Sequence, residues 1–261
     1  MAVAKPRIPR KQVDKLTTRG IYLLPNLFTS AALFAGFYAI VQAMNSNFEQ
    51  SAIAIFIAMV MDGLDGRVAR MTNTTSAFGA EYDSLSDMVS FGVAPALIMY
   101  VWALKPMGKL GWIAAFIYCA CAALRLARFN TKLDDAHQDK RYFQGLPSPA
   151  SAALLAGFVW VSYEYNIDGR EIFFGAIQIK WLAWGLTVFA AGSMVSDLKF
   201  YSGKEINLKE SVPFVAILAI VMAFVLVSYS PPEVLFTVVL VYALSGYYIW
   251  AKSKLSRKVS V

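Results

Sequence analysis

Charge is scarce in this chain of 261 residues: only 16% are Asp, Glu, Lys or Arg, where a soluble domain carries about 25%. Apolar residues reach 58%, above the roughly 45–50% of soluble domains. Both departures disfavour a disordered chain and a soluble nucleic-acid binder. Histidine is rarer still. His137 is the only one and lies in a polar stretch, which argues against a histidine-built metal centre or a Ser-His-Asp triad. The two cysteines, Cys119 and Cys121, sit in the apolar run 112–126. Residues two apart on a helix point to different sides, so these thiols are poorly placed to pair and read as small core residues. A secreted disulfide scaffold is disfavoured with them. The chain also lacks a soluble linker, a second domain and an internal repeat.

What is present is a series of long apolar runs, so the expectation is an all-α integral membrane protein. Crossing a hydrocarbon core of about 30 Å takes about 20 mostly apolar residues. Eight stretches qualify as candidate spans: 22–44, 52–70, 88–104, 110–129, 149–163, 176–195, 212–228 and 233–250. The fifth is short and the third contains Pro95. Turn residues separate several of them, at Asn45-Ser46-Asn47, Lys105-Pro106-Met107-Gly108 and Ser230-Pro231-Pro232.

The basic residues orient the spans. Twenty of the 24 lysines and arginines fall on one side: the arm from Lys5 to Arg19, then Arg67 and Arg70, and Arg125, Arg128, Lys132, Lys140 and Arg141. Lys199, Lys204, Lys209 and the tail from Lys252 to Lys258 join them. Only Lys105, Lys109, Arg170 and Lys180 fall opposite. The positive-inside rule puts both termini in the cytoplasm, consistent with an even number of spans. The basic arm serves as a topology signal, and equally as an attraction to anionic headgroups, at about 1 kcal/mol per basic residue. No small-residue cleavage site follows it, so a retained first span is expected rather than a signal peptide.

The chemistry concentrates between spans two and three. Asp62 and Asp65 are three apart and Asp83 and Asp87 four apart, so each pair occupies one helix face. The first pair ends a span, the second opens the next, and the turn at 72–78 lets the four carboxylates converge at one membrane face. Clustered acids repel, and ionised groups near a bilayer are costly unless paired. Divalent Mg²⁺ or Mn²⁺ answers both, because these ions prefer hard oxygen ligands. Two such ions bridged by carboxylates would form the arrangement used in phosphoryl chemistry. Gly63, Gly66, Ala69 and Gly79 remove bulk where helices and a phosphate ligand must approach, and Arg70 can pair with a phosphate. The bland alternative is a set of helix-end acids capping and snorkelling at the interface, which four acids on two facing helices make hard to sustain.

The run Asp62-x-x-Asp65-Gly66-x-x-Ala69-Arg70, eight residues, then Gly79-x-x-x-Asp83-x-x-x-Asp87 resembles, without a gap, the signature of the CDP-alcohol phosphotransferase family. The resemblance implies a six-helix core, usually dimeric, with a polar cavity at its cytoplasmic end holding two metal ions. It further implies that a CDP-linked substrate passes a phosphoryl-linked group to an alcohol and releases CMP. By position, Asp62, Asp65 and Asp83 would hold one metal, and Asp62, Asp83 and Asp87 the other, with Asp87 also the general base. Gly66, Arg70 and Ser76 would bind the CDP-lipid. Asn26 and Thr29, in the strip Leu24-Pro25-Asn26-Leu27-Phe28-Thr29, resemble the family's additional CDP contacts. The implied organisation is a basic arm at 1–20, a catalytic core at 21–210, two additional helices at 211–251 and a basic tail at 252–261.

Three further blocks, at 123–130, 143–150 and 194–202, look like the branch of that family whose acceptor alcohol is serine. The resemblance implies CDP-diacylglycerol and L-serine as substrates, a homodimer in a bilayer, and no nucleic-acid partner. A bacterial inner membrane with the site facing the cytoplasm is the expected location. Serine carries a carboxylate, which Arg125 or Arg128 could clamp in a bidentate fork; both also serve as ordinary positive-inside anchors. The turn Gly145-Leu146-Pro147-Ser148-Pro149 reads as the start of a helix, with Pro149 near its first turn, or as part of the acceptor pocket. Glycerol 3-phosphate, inositol phosphate or another alcohol remains an alternative acceptor, and a cation transporter is the rival from a different class.

Overall fold

The computed structural model describes residues 23–132, 141–167, 173–174, 177–202 and 214–259. The N-terminal arm, His137, Lys140, Arg170, Lys204 and Lys209 lie outside them. The described chain is mainly helical. Helix α1 is Leu23–Met44, α2 is Phe48–Met71, α3 is Ala77–Met107 and α4 is Lys109–Lys132. After them come α5 (Ser148–Glu164), α6 (Ile179–Val195), α7 (Phe214–Tyr229) and α8 (Pro231–Val259). Four of these, α1, α3, α4 and α8, are long and apolar enough to cross a membrane. The α2 helix is long enough, but it carries Glu49, Asp62, Asp65, Arg67 and Arg70; α5 and α6 have 17 residues each.

Three features depart from the reading by hydropathy. The third helix begins at Ala77, not at residue 88, so Asp83 and Asp87 lie within a continuous helix that starts three turns earlier. Apolar patterning misses those turns because the run Ala77–Asp87 is polar; its start is marked by a side-chain cap, with Ser76 Oγ accepting from the Gly79 N–H at 3.0 Å. The α6 helix begins at Ile179, because Ile177–Gln178 (β3) pairs with Phe173–Phe174 (β2) as a short antiparallel ladder. A second ladder joins Tyr142–Gln144 (β1) to Lys199–Tyr201 (β4). These few strand residues leave the described chain mainly helical, consistent with the all-α expectation, and one ladder joins segments far apart in sequence.

Small residues set the packing, as they do where helices associate in lipid. Ala32, Ala35, Ala39 and Ala43 form a buried stripe on α1, and Ser51 of α2 donates to the Ala39 carbonyl at 2.6 Å. Ser86 and Ser90 of α3 donate to the carbonyls of Thr29 and Ala32, each at 3.1 Å. At Gly36 a Cβ would fall 2.4 Å from Ser90 Oγ, so only glycine permits this crossing. The α3 helix widens into π-helical turns at Met88–Val93 and Tyr100–Leu104. Pro95 lacks the N–H that an α-helix would offer to the Phe91 carbonyl, and the buried Tyr118 hydroxyl donates to that carbonyl at 3.1 Å. This is how a proline is tolerated within the third helix.

The α5 helix is the centre of the bundle. Ser151–Gly157 is buried on every side, which explains why α5 is apolar all round with no polar face. It packs against α2, α3, α6 and α8. By contrast, α1 and α4 turn large apolar side chains outward, including Phe34, Phe37, Trp112 and Phe116, as a lipid-facing surface requires. Cys119 and Cys121 are free thiols, half-buried against the core.

Candidate active site

Consecutive helices run antiparallel, so the start of α1, the end of α2, the start of α3 and the end of α4 meet at one end of the bundle. Thr29 Oγ1 reaches from α1 to Asp65 Oδ2 of α2 at 2.7 Å. Asn130 Nδ2 of α4 donates to Ser84 Oγ of α3 at 3.0 Å. These bonds tie α1 to α2 and α4 to α3 around the two aspartate pairs. Oxygens of Asp62, Asp83 and Asp87 all lie within 4.8 Å of one another. Asp62 lies against Asp87, and Asp65 against Asp83, so each pair interacts electrostatically. Asp65, only 5% exposed, points one oxygen at Thr29 and stands outside the three-carboxylate group.

This geometry suits a divalent cation on chemical grounds. Four carboxylates share one locality, so their mutual repulsion calls for positive charge. Asp83 Oδ1 is buried and has no hydrogen-bond partner, the state of an oxygen reserved for a ligand. The donor set is all oxygen, which matches the hard ions Mg²⁺ and Mn²⁺.

Beside the acids lies an open cavity of about 160 Å³, lined by Asn26, Thr29, Gly66, Ser76, Gly79 and Asp83 among others. Four of the five residues expected to contact the CDP-lipid therefore share one wall system. The fifth, Arg70, is exposed and is not part of the lining. Thr74 and Thr75 do line it and were missed by sequence reasoning; their only signal was a hydroxyl-rich turn beside the motif. The glycines play different parts. A Cβ at Gly79 would meet Ser76 Oγ at 3.1 Å, so this residue is held small by a neighbour. At Gly63 and Gly66 a Cβ would meet nothing within 4 Å. These two do not serve helix–helix approach, and the open face at Gly66 belongs to the cavity.

The two arginines of α4 part company. Arg128 donates from Nη2 to Asp197 Oδ1 at 2.6 Å and from Nη1 to the Val195 carbonyl at 3.3 Å. Gln144 Nε2 donates to the same Asp197 oxygen at 2.8 Å. Arg128 is thus engaged with protein groups at the end of α6. Arg125 donates from Nη1 to Ser148 Oγ at 2.8 Å, while its Nε is buried without a partner. The Arg125 guanidinium also interacts electrostatically with Asp87. The turn before α5 is shaped by Gly145 at φ +77°, and Pro149 occupies the first helical turn as its sequence suggested.

Fold and site together define a helical integral membrane protein with a metal-competent acid cluster beside a phosphate-sized cavity at one end of its bundle. Residues 22–191 match the family model described as CDP-alcohol phosphatidyltransferase. The chain belongs to that enzyme family. Among its relatives is a protein of Helicobacter pylori (strain J99 / ATCC 700824), 38% identical over 192 residues, spanning 72% of this chain and 77% of the relative. One from Mycobacterium leprae (strain TN) is 33% identical, spanning 85% of this chain and 72% of its own. One from Methanocaldococcus jannaschii is 45% identical over 127 residues, 48% of this chain and 59% of the relative. All three are named CDP-diacylglycerol–serine O-phosphatidyltransferase.

Proposed function

We propose that this protein transfers the phosphatidyl group of CDP-diacylglycerol to the hydroxyl of L-serine, giving phosphatidylserine and CMP. The observation that carries the reading is the convergence of Asp62, Asp83 and Asp87 beside a cavity lined by Asn26, Thr29, Gly66 and Ser76. The names of the relatives support the choice of serine.

In this reading Asp62, Asp65, Asp83 and Asp87 hold two divalent cations, Mg²⁺ or Mn²⁺. When bound, they neutralise the clustered carboxylates and the phosphates beside them. The CDP-lipid lies along the α1–α2–α3 wall, with its diphosphate against the bare backbone at Gly66. Arg70, exposed at the end of α2, approaches the nucleotide lipid from outside the cavity. Asp87 accepts the proton of the serine hydroxyl. The serine oxygen attacks the β-phosphorus, the one attached to the lipid. The bond from that phosphorus to the CMP oxygen breaks, CMP leaves, and the proton passes from Asp87 to solvent. Arg125, with its free Nε edge, binds the serine carboxylate. Arg128 serves as an anchor, since its guanidinium is already committed to Asp197.

That division favours serine over glycerol 3-phosphate or inositol phosphate, whose phosphate would call for several free cations in one pocket. The same reading has eight spans with both termini in the cytoplasm, and a homodimer in a bacterial inner membrane. It keeps the arm at 1–20, core at 21–210, added helices at 211–251 and tail at 252–261. Purified protein is given CDP-diacylglycerol, Mg²⁺ or Mn²⁺, and each candidate alcohol separately, and CMP is followed. Release with serine alone is expected. Release with a phosphorylated alcohol and not serine overturns the acceptor, and cation uptake into proteoliposomes without lipid turnover favours a transporter.

A further inference from the structure

The turn before α5 is fastened more firmly than a simple connection requires. Gly145 N–H donates to the Leu198 carbonyl and Leu146 N–H to the Ser193 carbonyl, both at 2.9 Å. A Cβ on Gly145 would lie 2.2 Å from the Met194 carbonyl oxygen, so the turn presses directly on the end of α6. Phe200 of β4 is fully buried and packs at a tilt against the Tyr242 ring of α8, with Gly246 leaving room for its ring. The β1–β4 ladder and the Arg128–Asp197–Gln144 cluster close the same corner. The residue delivered by this framework is Ser148, 1% exposed at the first position of α5.

Ser148 Oγ takes one Nη1 hydrogen of Arg125 at 2.8 Å. A guanidinium presents two-donor edges, and Nε shares its edge with Nη2, not with Nη1. Holding Nη1 therefore leaves intact the Nε–Nη2 fork, whose planar geometry matches a carboxylate. Nε is buried and unpartnered, so this donor is unused within the protein. A free arginine would sample many rotamers and lose that freedom on binding.

We propose that Ser148 is a positioning residue for the acceptor: its hydroxyl fixes the Arg125 guanidinium with the Nε–Nη2 edge open to the substrate carboxylate. The assignment rests on the reading of Arg125 given above and adds to it a residue that does not touch the substrate. Specificity for an acceptor bearing a carboxylate then depends on the ladder and turn that deliver Ser148, as well as on the arginine.

The test measures serine KM, kcat and CDP-diacylglycerol affinity for the full chain as wild type, Ser148→Ala, Ser148→Thr and Arg125→Lys. Ser148→Ala is expected to raise serine KM about tenfold, the scale of losing a hydrogen bond to a charged group. Its kcat and CDP-diacylglycerol affinity should stay within about twofold of wild type, since the acid cluster is untouched. Ser148→Thr retains the hydroxyl and should return serine KM to near the wild-type value. Wild-type serine KM in Ser148→Ala, alongside a raised KM in Arg125→Lys, overturns the positioning role and leaves the arginine reading standing. Unchanged serine KM in Arg125→Lys removes the arginine reading and this inference with it. A parallel fall of kcat and CDP-lipid affinity in both Ser148 variants marks a structural role and also overturns the proposal.

Discussion

The bond from Thr29 to Asp65 allows the metal reading to be tested without removing a carboxylate. Thr29 is 3% exposed and Asp65 5%, so water cannot readily replace a lost donor. Thr29→Val keeps the volume and branching of the side chain while deleting the hydroxyl that lies 2.7 Å from Asp65 Oδ2. Hydrogen bonds to charged groups contribute about 1.5–3 kcal/mol. At about 1.4 kcal/mol per factor of ten, complete loss corresponds to about 10–150-fold in an equilibrium constant. The bond exists before a cation binds, so only the part that orients Asp65 toward its neighbours reads out, and we expect a weakening of about tenfold. The assay is a Mn²⁺ titration followed in two ways, by CMP release and by the shift of melting temperature with added metal. Both curves should move to higher Mn²⁺ in Thr29→Val, with turnover recovering at saturation, and Thr29→Ser should resemble wild type. An unchanged metal requirement together with weaker CDP-diacylglycerol binding would refute the reasoning, because Thr29 would then act on the nucleotide lipid directly.

Three further outcomes are expected. Asp87→Asn retains shape and one oxygen but not the base, so turnover should fall by at least about 100-fold while CDP-diacylglycerol affinity, measured in the same preparation, stays close to wild type. Gly66→Val places a side chain where a Cβ meets nothing within 4 Å, so the protein should fold and insert normally yet bind CDP-diacylglycerol poorly, as a thermal melt paired with a binding isotherm would reveal. Gly145→Ala meets both a left-handed backbone at φ +77° and the Met194 carbonyl at 2.2 Å; a loss of at least about 1–3 kcal/mol should appear as a lower melting temperature in detergent.

Much of the molecule is legible in the chain because it depends on neighbours along the sequence. Apolar runs locate the helices of the described residues, since hydropathy is a property of contiguous residues. The spacing of Asp62 with Asp65, and of Asp83 with Asp87, assigns each pair to one helix face by helical period alone. The polar start of α3 escapes hydropathy, although the cap at Ser76 with Gly79 three residues on leaves a local trace of it.

What the tertiary structure alone decides is which partner each side chain meets. Arg125 and Arg128 look alike in sequence, three apart on one helix. One reaches Ser148, 23 residues on, and keeps a free edge, while the other is consumed by Asp197, 69 residues on. Thr29 lines the cavity and also gives its hydroxyl to Asp65, 36 residues away. Gly63 and Gly66 resemble helix-contact glycines until their surroundings prove open. In each case the residue's job is set by atoms brought in from another helix, and helical period carries no information about which helix arrives there. Contiguous residues specify the described helices and the faces that carry their acids; contacts between helices decide which atoms, such as Asp83 Oδ1 and Arg125 Nε, keep no partner.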